Sequence, residues 1–236
     1  MFGVSTFCLH HEPLDTALDA ISGITDCVEI MDDGLHHIEA TEPLESYNLT
    51  YFIHAPARGV NIASLLEPIR RASVEVLVQC FSIAGELGAD VVIHPGYYAW
   101  REERERAKRS FHQSIAELSL AAEERSVTYY IENMGNWEYF FLRFADELPL
   151  PGGIGLALDV GHAHLNGCLE AFLAVPFAHI HLHDNSGRGD SHSTVGTGNI
   201  DFRPVMEAVR RNKVIPIVEV ETFEGTVESI RVLEAM

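Results

Sequence analysis

Basic residues are scarce in this chain: 16 Lys and Arg stand against 35 Asp and Glu among 236 residues, a formal charge of −19 at neutral pH. Such a surface repels polyanions unless a local basic patch intervenes, so nucleic acid is a disfavoured partner. Cysteine is scarce as well. Cys8, Cys27, Cys80 and Cys168 lie far apart without a C-x-x-C spacing. That argues against a disulfide framework or a zinc ribbon and suits separate thiols in a reducing, cytoplasmic setting. Charges break every apolar run well before the 18 residues that a membrane helix needs. The first 12 residues lack the basic-then-apolar order of a secretory leader. Linkers, low-complexity tracts and a 20-to-50-residue repeat are also missing.

Apolar residues are plentiful at 47%, and the 10 Pro and 18 Gly are dispersed. A sizeable core is therefore expected, in a chain close to the roughly 250 residues of a (β/α)₈ barrel. The pattern along the chain agrees, because eight short β-branched or apolar runs alternate with longer segments of helical period, as repeated βα units do. The expected strands are Phe2–Phe7, Cys27–Met31, Thr50–His54, Asp90–His94, Val127–Glu132, Ile154–Asp159, Ala178–His183 and Ile215–Glu221. Helical stretches are expected at Ile62–Leu87, Arg101–Arg125, Trp137–Leu148, Phe202–Arg211 and Thr226–Glu234, with the second and sixth units shorter. Closing eight parallel strands on themselves leaves no edge to cover, so residues 1–236 are read as one α/β domain, a single (β/α)₈ TIM barrel. The abbreviated second and sixth units leave apolar surface for a second copy of the chain, a possible homo-oligomer. The arginine pairs Arg70–Arg71 and Arg210–Arg211 fall in helices and are expected at the surface.

Nearly every expected strand ends in an acid or an imidazole: Glu29, His54, His94, Glu132, Asp159, His181 with His183 and Asp184, and Glu219 with Glu221. In a (β/α)₈ barrel the carboxyl ends of all strands converge on the rim where active sites are built. So many carboxylates and imidazoles in one partly buried bowl cost several kcal/mol per uncompensated charge, and a divalent cation is the usual compensation. Imidazole and carboxylate together favour Zn²⁺, Mn²⁺, Co²⁺ or Fe²⁺ over Ca²⁺ or Mg²⁺. Two spacings sharpen the expectation. In "LDVGHAH", His162 follows Asp159 on one short turn, and in "GDSHSTVGTGNID", Asp190 and His192 share one side of an extended loop made flexible by Gly196 and Gly198. His164, His183 and Asp184 are assigned supporting roles.

The segments "VEI" at Glu29, "HAP" at His54, "NIAS" at Asn61, "ELGADVVIHPG" around His94, "IENM" at Glu132, "LDVGH" through His162, "HIHLHDN" at His181, "DSHSTVGTGNIDF" at Asp190 and "VEVET" at Glu219 run in order from the second strand to the last. In these segments the chain resembles the xylose isomerase-like, or endonuclease IV-like, barrel superfamily, which also holds sugar phosphate isomerases and epimerases. The resemblance implies up to three zinc ions, on His54, His94 and Glu132; on Glu132, Asp159, His181 and Glu219; and on His162, Asp190 and His192. The second set alone resembles the single-metal site of ketose 3-epimerases, in which two glutamates flank the reacting carbon. Glu221 is an alternative to Glu219, since the two point the same way and Thr222 follows directly.

Two enzymatic readings result. The first is an isomerase or epimerase of a small sugar or sugar phosphate, with one to three divalent ions (Zn²⁺ or Mn²⁺), Glu132 and Glu219 as the bases, and proton transfer through an enediolate. Glu29, His162, Arg188 and Trp100 are its expected substrate contacts, with Tyr97 and Tyr98 as further aromatic faces. The second is a zinc-dependent phosphodiesterase of the endonuclease IV type that cuts DNA at abasic sites. Against it, the loops after the first three strands hold one arginine, Arg58, three acids and no lysine. A third, non-enzymatic reading is a metal-bearing barrel that binds a ligand without turning it over.

Overall fold

Residues 1–236 are described by a computed structural model. Eight strands form: β1 (Gly3–Ser5), β2 (Cys27–Met31), β3 (Thr50–His54), β4 (Asp90–Ile93), β5 (Tyr129–Glu132), β6 (Gly155–Asp159), β7 (His179–Leu182) and β8 (Ile217–Val218). Each pairs in parallel with its sequence neighbours, and β8 closes on β1 through Gly3 opposite Ile217, giving a closed barrel. The expected strands are all present, several of them longer in expectation than in fact. β8 stops at Val218, so Glu219 lies just past its carboxyl end. An apolar cluster of 52 buried residues fills the barrel and the layer between strands and helices.

The helices are α1 (Leu14–Ile21), α2 (Glu42–Glu45), α3 (Glu67–Leu87), α4 (Arg104–Arg125), α5 (Val160–Leu165), α6 (Leu169–Leu173), α7 (Phe202–Asn212) and α8 (Phe223–Glu234). As expected, the second and sixth units are short. α3 begins at Glu67 rather than Ile62, because Asn61 organises a turn first: its Oδ1 accepts from the amides of Ala63 and Tyr97. Pro68 then opens the helix, and Gly88, at φ 65°, ends it in the left-handed conformation that glycine adopts freely.

Two further expectations fail outright. Trp137–Leu148 is a loop with one 3₁₀ turn (Ala145–Glu147) and no α-helix. Its local bonds are isolated turns at Phe140, Glu147 and Leu148, and the backbone otherwise bonds outward: Phe140 bridges Tyr97, Phe141 donates to the Gly96 carbonyl, and Tyr98 donates to the Tyr139 carbonyl. The aromatic side chains that mimic a helical period serve Tyr98 and Phe111, against which Phe141 packs. Arg70 is the other failure, being only 2% exposed. It lies between α3 and α4, where it pairs with Glu67 (2.8 Å) and Glu117 (3.1 Å) and donates to Ser114 (3.0 Å). A buried guanidinium persists only with such partners.

No helix is long and apolar enough to cross a membrane, and the four cysteines are free thiols.

Candidate metal centre

Strand ends bring the site together. His54 closes β3, His94 follows β4, Glu132 closes β5, Asp159 closes β6, His181 lies in β7 and Glu219 follows β8. Strand register sets Asp159 beside His181, so residues 22 apart in sequence become neighbours on one barrel wall. Ligand atoms of Glu132, Asp159, His181 and Glu219 lie within 4.8 Å of one another, and those of His54, His94 and Glu132 form a second such group. His162, Asp190 and His192 form a third, reached from the first turn of α5 and from the loop that precedes α7.

Glu132 joins two of these groups. Its Oε2 faces His94 Nε2 (2.9 Å) and His54 Nε2 (3.2 Å), while its Oε1 faces His181 Nδ1 (3.1 Å). In the outer group Asp190 Oδ2 lies 2.9 Å from His162 Nε2 and 3.4 Å from His192 Nε2. Most of these imidazoles are anchored by the ring nitrogen that points away from the group. Nδ1 of His54 contacts the Ala55 carbonyl (3.0 Å), Nδ1 of His162 the Asn133 carbonyl (2.9 Å), and Nδ1 of His192 the Glu219 carbonyl (2.9 Å). A nitrogen donating to a carbonyl leaves the other free to coordinate, so these contacts select the tautomer that a metal ligand needs.

Asp159 is held on three sides. Its Oδ1 accepts from the His162 amide, as the cap of α5, and both oxygens meet His183 Nε2 at 3.1 and 3.2 Å. The Asn133 amide group fixes its backbone, donating to the Asp159 carbonyl and accepting from the Asp159 amide. His192 adopts φ 39°, unusual outside glycine, and its ring stacks on His183 at 3.9 Å. Asp184 stabilises that loop by accepting from the amides of Gly196, Gly198 and Ile200. His183 and Asp184 thus hold supporting positions.

Electrostatics follow from burial. Glu132, Asp159, His181 and Glu219 are at most 3% exposed. Burial alone would raise the carboxyls of Glu132 and Asp159, but the surrounding imidazoles overrule it: Glu132 falls well below the usual carboxylate range and Asp159 is lowered too. Burial would equally depress the imidazoles, yet the carboxylates lift His162 and His181 well above the ordinary value, and His54 and His192 to about 9. The cluster is therefore balanced by protons, and a divalent cation can supply the same balance. Oxygen and imidazole donors without a thiolate fit Zn²⁺ or Mn²⁺.

The groups floor a cavity of about 700 Å³, lined also by His10, Arg58, Tyr97, Met134, Asn136, Trp137 and Phe140. Of Glu29, His162, Arg188 and Trp100, the expected substrate contacts, only His162 lines it. Trp100 is 66% exposed and lies outside, since the chain turns out there to start its 3₁₀ turn. Arg188 is exposed and is not among the lining residues, although Asp190 of the same loop is. Glu29 is wholly buried below the cavity, between His179 and His181. Tyr97 lines the cavity, whereas Tyr98 is buried and donates to the Glu138 carbonyl. Glu221 is exposed; beyond β8 the alternation of faces has ended, and Glu221 bonds the His192 carbonyl through its amide alone. Thr222 instead caps α8, its hydroxyl accepting from the Gly225 amide. Trp137 and Phe140 line the cavity from a segment whose helical spacing gives no sign of that position; the one signal is that the segment follows the carboxyl end of β5, on the rim where sites are built.

A family model described as xylose isomerase-like TIM barrel matches residues 25–236. The chain belongs to that family. Among relatives of this xylose isomerase-like barrel, the uncharacterized protein MJ1614 of Methanocaldococcus jannaschii is 30% identical over 222 residues, covering 86% of this chain and 88% of the relative. A probable endonuclease 4 of Mycobacterium leprae is 27% identical over 185 residues, 71% of each chain. The crystal structure of a D-tagatose 3-epimerase-like protein superposes with a TM-score of 0.89 at 26% identity, covering 99% of this chain and 96% of that one. A zinc-bound IOLI protein shares the fold, with a TM-score of 0.78 at 18% identity and coverage of 99% and 95%.

Proposed function

We propose that this barrel is a divalent-metal-dependent epimerase or isomerase of a small sugar or sugar phosphate. One observation carries the reading: two carboxylates almost sealed from solvent, Glu132 and Glu219, arrive from β5 and β8 on different sides of the rim, with Asp159 and His181 between them in one group. Glu132, Asp159, His181 and Glu219 would hold the ion, which when bound supplies Lewis-acid stabilisation of charge developing on adjacent substrate oxygens. The rest falls to the chain. One glutamate takes the proton beside the carbonyl from one face, and the other, in its protonated form, returns a proton to the opposite face, inverting that carbon. His54 and His94 hold Oε2 of Glu132, and Ser5 reaches Oε1 of Glu219 at 3.5 Å, so each base has a partner fixing its direction. His162 faces the cavity and can meet a substrate hydroxyl, while Tyr97 and Trp137, 5.3 Å apart, offer apolar faces to the sugar. The similarity to a D-tagatose 3-epimerase-like protein supports the same reading.

The test is a panel of ketoses and their phosphates incubated with zinc- or manganese-loaded protein in D₂O and followed by NMR. Deuterium is expected at the carbon beside the carbonyl, and Glu132→Gln is expected to abolish it. Exchange that survives the substitution removes Glu132 from the role.

A second reading has its own observation. Two of the ligand groups share Glu132, and the third meets the four-residue group where His162 lies 3.6 Å from Asp159 and His192 lies 3.7 Å from Glu219, so the three are contiguous as a multinuclear zinc phosphodiesterase requires, and relatives named probable endonuclease 4 support it. Cleavage of an abasic-site duplex by the zinc-loaded protein, with no exchange on any sugar, would favour it over the epimerase.

A further inference from the structure

Beneath the floor of the cavity lies a second cluster that the reaction proposed above does not use. Glu29, in the middle of β2, sends its carboxylate into the barrel interior, where it meets two histidines of β7, and all three side chains are at most 1% exposed. Each oxygen takes one ring. Oε2 lies 2.7 Å from His179 Nε2, and Oε1 lies 2.9 Å from His181 Nε2. The contacts lie off the line of an ideal hydrogen bond, and no other group hydrogen-bonds these four atoms. The trio is thus satisfied by itself or not at all. His179 is wedged between Phe52 (4.9 Å) and Tyr130 (5.9 Å, nearly parallel), so the far end cannot swing.

His181 is the single imidazole of the four-residue group, and it enters that group through Nδ1. His54, His162 and His192 are oriented by backbone carbonyls, whereas the ring of His181 is backed by the buried carboxylate of Glu29. We infer that Glu29 is a positioning residue for the metal site: it holds His181 with its proton on Nε2 and its Nδ1 lone pair aimed among Glu132, Asp159 and Glu219, and His179 holds Glu29. A carboxylate behind a ligating imidazole fixes the ring and raises its basicity as a donor. Position in sequence agrees, since His179 and His181 are two apart on one face of β7, one barrel layer below the other.

The inference rests on the reading of those four residues as metal ligands, and the experiment separates the two. Zinc affinity is measured by competition against a fluorescent chelator for the wild type, Glu29→Gln and His179→Phe, with thermal midpoints as a control for folding. Glu29→Gln is expected to weaken zinc about 10- to 100-fold, and His179→Phe, which keeps a flat ring in the slot, to weaken it less and in the same direction. In ¹⁵N-histidine-labelled, zinc-loaded wild type, the His181 Nε2 proton is expected far downfield and protected from exchange with water. That measurement stands even where a variant does not fold. Glu29→Gln binding zinc within twofold of wild type, or a His181 Nε2 without a protected proton, overturns the inference and leaves the metal site in place. A wild type that takes up no zinc overturns the metal site itself.

Discussion

Glu219 and Glu221 are two residues apart in a sequence that treats them alike, yet only Glu219 is buried in the ligand group. The pairing of β8 ends at Val218, so the alternation that would have aimed both the same way no longer applies at Glu221. Glu219→Gln is expected to weaken zinc by about 100-fold or more, beyond the ~10–100-fold typical of a group behind a ligand, whereas Glu221→Gln leaves the affinity near wild type. Equal losses in the two variants would show that the chain end is arranged otherwise. Protons bear on the same residues. His54 and His192 are lifted to about 9, against the pull of burial, by Glu132 and by Asp190 with Glu219. A histidine raised above its free value of about 6.5 stabilises the fold fully below that pH, and the contribution is lost as pH climbs through about 9. The metal-free protein should therefore lose thermal stability between about pH 7 and 10. Zinc affinity should rise over the same interval, because the ion competes with those protons. Calorimetry in chelator and zinc titrations at stepped pH read both; an affinity that falls across that range would contradict the account.

At the scale of elements, the strands were the legible part. β2 and β3 have the ends that their β-branched runs suggest, and the acid or imidazole near the ends of the third to the eighth strands was a direct pointer to the rim. Loops were not legible. Trp137–Leu148 has apolar residues at helical spacing, but those rings answer to Tyr98 and Phe111, contacts that no local period encodes. Trp100 and Trp137 could not be told apart by sequence for the same reason: the path of the loop decides which one faces the cavity. Glu29 shows a further limit, because strand-end position predicts the rim but does not give depth within the barrel. The junction of β6 and α5 offers a test at this scale. α5 starts directly after Asp159, and in its first turn Gly161 is pressed against the His183 ring, which a Cβ there would overlap. Gly161→Ala should cost about 1–3 kcal/mol by overpacking. It should also disturb Asp159, which His183 holds, so zinc affinity is expected to drop together with the melting temperature. A variant that melts lower but binds zinc as before would show that His183 yields without moving Asp159.

Taken whole, the molecule is strongly anionic, and this bears on which substrate can reach the candidate metal groups. Its formal charge is −19, and Arg58 is the one lysine or arginine among the residues lining the cavity. A surface of that net charge concentrates divalent cations, and it repels a phosphate chain over about a Debye length, some 8 Å at physiological salt. A protein that holds a duplex through about 6–10 phosphate contacts loses affinity steeply with salt as the counterions are released. One arginine at the mouth does not supply such contacts, yet it suffices for the single anionic group of a sugar phosphate, and a cavity of about 700 Å³ admits such a molecule whole. The expectation is that an abasic-site duplex is neither retarded nor cut at micromolar zinc-loaded protein, even near 20 mM salt, where electrostatic binding is strongest. Exchange on a neutral ketose should be indifferent to salt, and exchange on a phosphorylated one should weaken as salt screens Arg58, with Arg58→Ala removing that dependence. Retardation of the duplex at low salt that vanishes near 200 mM would reveal a basic path outside the cavity and return the phosphodiesterase to first place.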